Sequence, residues 1–181
     1  MSEEDRRRWD ERHREGGGRP APPPVLAHVV HLFPTEGTAM EVACGRGEAA
    51  VWLARRGLEV WASDVSEVAI GAARRLAERC GVAHRCQFQV HDLDDGLPSE
   101  PPVADLVLCH MFRDPRLYGP MAERLRPGGI LAVATLSEAG GEPGRFRARP
   151  GELPDAFARL EILEAGESEG RAWMVARAPS T

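Results

Sequence analysis

Residues Ala39 to Asp64, AMEVACGRGEAAVWLARRGLEVWASD, spell a β-turn-helix-β unit around a glycine turn, and this stretch confines the chain to a nucleotide-binding kind of α/β sheet. Gly45 and Gly47 stand where a backbone that turns sharply and meets a ligand closely has no room for a Cβ. Glu48 to Arg56 follows as a helix whose first N–H groups point into the loop. Asp64 closes the second strand, where the hydroxyl pair of a ribose needs an acceptor. The unit therefore predicts an adenosine-containing cofactor.

From Ala39 onward apolar runs alternate with helical patterns, the signature of a mostly parallel sheet covered by helices. Strands are expected at Ala39–Ala43, Glu59–Ser63, Gln87–Val90, Ala104–Cys109 and Ile130–Leu136. Ser66 to Cys80 reads as a helix, with Ser66 as N-cap, Ile70, Ala73, Ala77 and Cys80 on one stripe and Gly81 as its stop. His91 to Pro102 holds adjacent acids, a Gly and three prolines, so a loop is predicted there. Leu160–Ala165 and Arg171–Ala178 are strand-like runs joined by GESEG, which makes them an antiparallel hairpin.

A length of 181 residues suits one domain, expected at 25–181, behind a leader at 1–24. In that leader a charged segment with Trp9 precedes Gly16 to Gly18 and the run Pro20 to Pro24. It reads either as a short helical lid on a hinge or as a frayed tail. Val25 to Phe33 is then a short buried helix ending before Pro34.

A net charge of −5 without a basic patch argues against nucleic acid as a partner, because phosphate affinity is built from clustered cations. No run approaches the roughly 20 apolar residues that span a bilayer, so no membrane association is expected. All 23 basic residues are Arg, which excludes lysine chemistry. Four cysteines lack paired C-x-x-C spacing and the start lacks an apolar signal region, which fits reduced thiols in a cytoplasm, and no metal-ligand set is assigned.

Two cofactors compete for the glycine turn, because Gly45, Gly47 and Ala50 also satisfy G-x-G-x-x-G/A with Asp64 near the dinucleotide spacing. An NAD-binding oxidoreductase is therefore an alternative, although the absence of Lys and the single Tyr118 remove the common Tyr-Lys proton relay. Glu41 in the first strand, His91-Asp92-Leu93 after the third and the terminal hairpin favour S-adenosylmethionine.

The successive segments EVACGRGEAAVWLARRGLEVWASDVS, VHDLDDGLP, ADLVLCHMF and RLRPGGILAVATL resemble the motifs of class I S-adenosylmethionine-dependent methyltransferases. The W-D-E-R leader and the tail GRFRARPGELPDAF also resemble the small tellurite-resistance and thiopurine-methyltransferase-like group. The resemblance implies a Rossmann-like, doubly wound, mostly parallel seven-stranded sheet ending in an antiparallel hairpin. It places Glu41 near the methionine amino end, Ala43, Cys44, Gly45 and Gly47 around methionine and ribose, and Asp64 with Val65 at the ribose. Asp92 would accept from the adenine amino group beside Leu93, and Cys109 and His110 would lie next to the sulfonium. Ala43 departs from the pattern, standing where the family usually has its first Gly.

The expected reaction is methyl transfer to a small-molecule nucleophile, with sulfur, selenium or tellurium favoured over oxygen or nitrogen. Positioning and desolvation supply most of the help. His110 is a candidate base for a protonated acceptor, or else lines the pocket. Trp9, Arg113 and Arg147 are candidate acceptor contacts, with Arg145, Arg147 and Arg149 read as a clamp for an anionic acceptor or as a solvated loop edge. A catalytically idle cofactor-binding module remains a further alternative.

Overall fold

The computed structural model describes residues 3–12 and 18–181. The hinge glycines Gly16 and Gly17 therefore lie outside the described residues. Seven strands form one sheet: β1 Thr38–Val42, β2 Glu59–Asp64, β3 Cys86–Val90, β4 Ala104–His110, β5 Leu125–Leu136, β6 Glu161–Ser168 and β7 Arg171–Arg177. Their order is β3-β2-β1-β4-β5-β7-β6. Neighbours from β3 through to β5 run parallel, and β7 is antiparallel to both β5 and β6. This is the doubly wound, hairpin-terminated sheet that the sequence predicts. Because β7 lies between β5 and β6, β6 becomes the outermost strand and presents Glu161, Glu164 and Glu167 to solvent or near it.

Among the described residues five α-helices accompany the sheet: α1 Glu3–Arg12, α2 Glu48–Arg56, α3 Glu67–Arg79, α4 Tyr118–Glu123 and α5 Glu152–Ala156. Ser66 caps α3 as expected, its hydroxyl accepting from the Ala69 amide at 3.0 Å. Pro24–Leu32 is a 3-10 helix, and its buried Leu26 and Val29 are spaced three apart, the period that such a helix repeats. Strand β5 starts earlier than its apolar run, at Leu125, because the chain loops out over Arg126–Gly129 before Ile130 resumes pairing with Leu106. Gly128, with φ +75°, makes that excursion possible.

Side chains alternate across the strands and feed two cores. Ala39, Val60, Ala62, Leu106, Leu108, Ala132 and Val175 face α2, α3 and the 3-10 helix. Met40, Val42, Val107, Leu131, Val133 and Met174 face α4, α5 and Phe157 on the other side. On that second side, 91–103 runs as a loop with a single short 3-10 turn at Leu93–Asp95, so no helix covers β2 and β3 there. Trp61, Ser63, Gln87 and Gln89 instead line a cavity of about 210 Å³ under Pro98 and Glu100.

Candidate functional site

The carboxyl ends of β1, β2, β3 and β4 converge on the glycine turn. The turn closes through Gly47 N–H donating to Cys44 O at 3.0 Å, while Cys44 N–H donates to Ser63 O at 2.9 Å. Ala43, Gly45 and Gly47 all have positive φ, of 55°, 53° and 75°. For Ala43 this left-handed conformation costs about 1 kcal/mol, which glycine would not incur. Gly47 could not be replaced cheaply, since a Cβ there would lie 2.6 Å from the Ala73 Cβ of α3.

Asp64 organises the turn. Its Oδ2 accepts from Gly45 N–H at 2.8 Å and its Oδ1 from Ser66 N–H at 2.9 Å. A carboxylate offers about four lone-pair sites, so acceptor capacity is left for a pair of hydroxyls. Val65 is buried beside it. Asp92 caps the 3-10 turn at Leu93–Asp95 through Asp94 N–H, at 3.0 Å, and Leu93 is buried.

Glu41 is the unusual group. It is 3% exposed, and its Oε2 is buried without a hydrogen-bond partner. Burial, followed by the nearby Glu48 and Asp64, pushes its carboxyl up to about 8. Glu41, Glu48 and Asp64 thus place three acids around a turn that also carries Arg46.

Cys109 and His110 end β4 as expected. The Cys109 thiol is pushed up to about 12 by burial and then by Glu41, and the Cys44 thiol is raised well above its usual value by burial, so neither is a thiolate at neutral pH. The His110 imidazole is lowered to about 4, first by burial and then by the nearby Arg171 guanidinium. It is neutral at pH 7 and a weak base.

The arginines after β4 and β5 are committed within the protein. Arg113 forms a bidentate pair with Glu152, with Nε–Oε1 and Nη2–Oε2 both 2.7 Å, and Nη1 donates to Arg145 O at 3.1 Å. Tyr118 O–H donates to the same Glu152 at 2.8 Å. Arg147 Nη1 donates to Ser137 O at 2.8 Å and Gly170 O at 3.4 Å. Arg145 and Arg149 stay exposed, with Arg145 over the Phe146 ring and Arg149 3.8 Å from Glu152. The three tail arginines thus serve separate partners rather than sharing one face.

The leader lies against the same end of the sheet. Asp10 of α1 accepts from Ser66 O–H at 2.5 Å, and Arg6 Nη2 is 3.9 Å from Asp92 Oδ2. Trp9, 38% exposed, carries the Arg12 guanidinium over its ring. Gly18 then passes so close to Glu48 that a Cβ there would meet its Oε1 at 2.5 Å, and Ala21 N–H donates to Glu48 O at 3.2 Å. Asp10 and Arg171 are site neighbours that the sequence did not single out. Arg171 is separated by 60 residues from Met111, which it touches, so no local pattern joins them.

Known proteins resemble this chain in sequence and in fold. The family described as a methyltransferase domain matches residues 39–129. A tRNA 5-carboxymethoxyuridine methyltransferase from Escherichia coli is 34% identical over 58% of the chain and 42% of its own length. The chain spans between about a third and a half of the length of the curated relatives it matches. Among solved structures, TehB from Haemophilus influenzae superposes with a TM-score of 0.73 at 18% identity, covering 85% of this chain and 61% of its own. The magnesium protoporphyrin IX methyltransferase of Synechocystis, solved with bound S-adenosylhomocysteine, gives 0.65 at 18% identity over 85% and 80%.

Proposed function

The chain belongs to the methyltransferase domain family, whose methyl donor is S-adenosylmethionine, and from that premise we propose that it methylates a small-molecule nucleophile. The observation that carries this reading is the buried Glu41 carboxyl, whose Oε2 has no hydrogen-bond partner, beside a turn that gathers acids. A donor bearing an ammonium and a sulfonium brings positive charge to these acids, and its methyl group comes already activated. The chain's task is then to hold, align and dry the reactants. Glu41 faces the amino end, the Ala43–Gly47 turn encloses methionine and ribose, and Asp64 accepts from the ribose hydroxyls. Asp92 and Leu93 receive the adenine.

Sulfur, selenium and tellurium acceptors suit the acceptor end best. With Cys109 protonated and His110 weakly basic, no strong base stands beside the reacting centre, and acceptors already anionic near pH 7 need none. Helix α1 is the lid over the adenosine half, held by Asp10 to Ser66 and by Arg6 toward Asp92. The unpaired cysteines fit a reducing cytoplasm.

Glu41 gives a direct test. A cation arriving beside a carboxyl of pKa about 8 ionises it, so cofactor binding at pH 7 releases roughly one proton. Titration calorimetry in buffers of different ionisation enthalpy measures that release. Glu41→Gln should abolish it and weaken affinity about tenfold or more. Binding of NAD alone, or donor binding without proton release, contradicts the assignment. Formation of S-adenosylhomocysteine across thiol, selenite, tellurite, phenol and amine acceptors separates an enzyme from an idle binding module.

A further inference from the structure

Beyond the cofactor, the carboxyl edge of the sheet holds the Arg171 guanidinium, which pairs with no carboxylate among the described residues. Strand β7 is antiparallel to β5, so its first residue, Arg171, lands at the same edge as the ends of the parallel strands, opposite Leu136. Two rows further in, His110, Ala134 and Trp173 occupy one register line across β4, β5 and β7. Alternation puts Arg171 and Trp173 on one face. The row shares that face with Glu41, whose β1 position pairs with Leu108 of β4, two residues before His110. Arg171 therefore stands on the cofactor's face of the sheet, on the side of His110 away from the adenosine half.

Its side-chain neighbour is a thioether. Among the described residues the side-chain partner of the Arg171 guanidinium is the Met111 sulfur, 3.4 Å from Nη1, and no carboxylate there lies within ion-pair distance of it. Met111 is 43% exposed and held at φ +59°, which presents its side chain at the rim. Of the neighbouring arginines, Arg113 is engaged by Glu152 and Arg147 by backbone carbonyls. An unpaired guanidinium beside an exposed thioether matches a ligand with an apolar body and a single anionic group. A single guanidinium fits a monoanion better than a polyphosphate chain.

We propose that Arg171 is the specificity residue of the acceptor site, and that the acceptor carries a carboxylate which Arg171 holds while its nucleophile lies toward His110. This rests on the methyl-transfer reading and names the substrate class for the same site. Arg171 also lowers the basicity of His110, so a carboxylate seated there makes the imidazole more basic.

The test uses the full chain saturated with S-adenosylhomocysteine. Its arginine Nε–H resonances are followed by NMR as 3-(methylthio)propanoate, the neutral 3-(methylthio)propanamide or inorganic phosphate is added. The expected result is a saturable shift of the Arg171 signal with the carboxylate, at least tenfold weaker for the amide and for phosphate. In Arg171→Gln, which changes an exposed side chain, carboxylate affinity should fall at least tenfold while S-adenosylhomocysteine affinity stays within twofold. No saturable carboxylate response, an equal response to the amide, preference for phosphate, or unchanged carboxylate binding in Arg171→Gln overturns the proposal. Failure of S-adenosylhomocysteine to bind at all overturns the methyl-transfer reading instead, so the two failures are distinct.

Discussion

Asp64 shows how a single side chain serves fold and site together. Both of its oxygens already accept backbone amides, from Gly45 and Ser66, before any ligand arrives. Asp64→Ala strands two amides at the turn and is expected to cost about 2 to 4 kcal/mol in urea unfolding, as well as weakening the cofactor about tenfold or more in calorimetry. His110 makes a pH prediction. Its pKa of about 4 lies below the ordinary 6.5, so the unfolded chain takes up the proton first as pH falls. Its contribution to stability is complete above pH 6.5 and is lost progressively toward pH 4, about 3 kcal/mol in all. His110→Gln should flatten the pH dependence of the unfolding free energy over that window. Asp64 was legible because it follows a glycine turn at fixed spacing. Arg171 was not, because its relation to Met111 and His110 exists only once β7 has inserted beside β5.

Among the elements, α2 and α3 were readable to within a residue, since each carries a sharp terminator: Gly57 in the left-handed region after α2 and Ser66 before α3. Helices α4 and α5 are short, six and five residues, and too brief for a period to declare itself. Helix α1 was visible as a charged segment, but its docking was not, because α1 is polar almost throughout and lies down through Asp10 and Arg6 rather than through an apolar stripe. The contact is accordingly loose in energy and specific in position. Asp10→Ala should leave the melting temperature within a few degrees and speed release of S-adenosylhomocysteine several-fold in stopped-flow chase experiments. Unchanged release would remove α1 from the lid role.

Over the whole molecule, the parallel sheet was legible from the alternation of strands and helices and its hairpin from the short link between two strand-like runs, whereas the doubly wound seven-stranded form came from the family resemblance; the two cores follow from side-chain alternation along the strands. The division of coverage was not. One face has long helices, whereas the other relies on α4, α5 and the buried Phe157, whose ring lies tilted against Tyr118 with centroids 5.1 Å apart. With so little else above β5 and β7, Phe157→Ala is expected to cost about 3 to 5 kcal/mol in denaturant titration, near the upper end of single core truncations. The same economy leaves Trp61 over an open cavity, the place where a further helix would sit.

The outermost strand gives the molecule a social preference. An unpaired strand is a template for another chain, and two copies meeting along β6 would bring the carboxylates at 161, 164 and 167 into mutual range. That rim of like charge turns away its own kind, so lateral fibre growth along this side is electrostatically discouraged near neutral pH and is released only as acid quenches the glutamates.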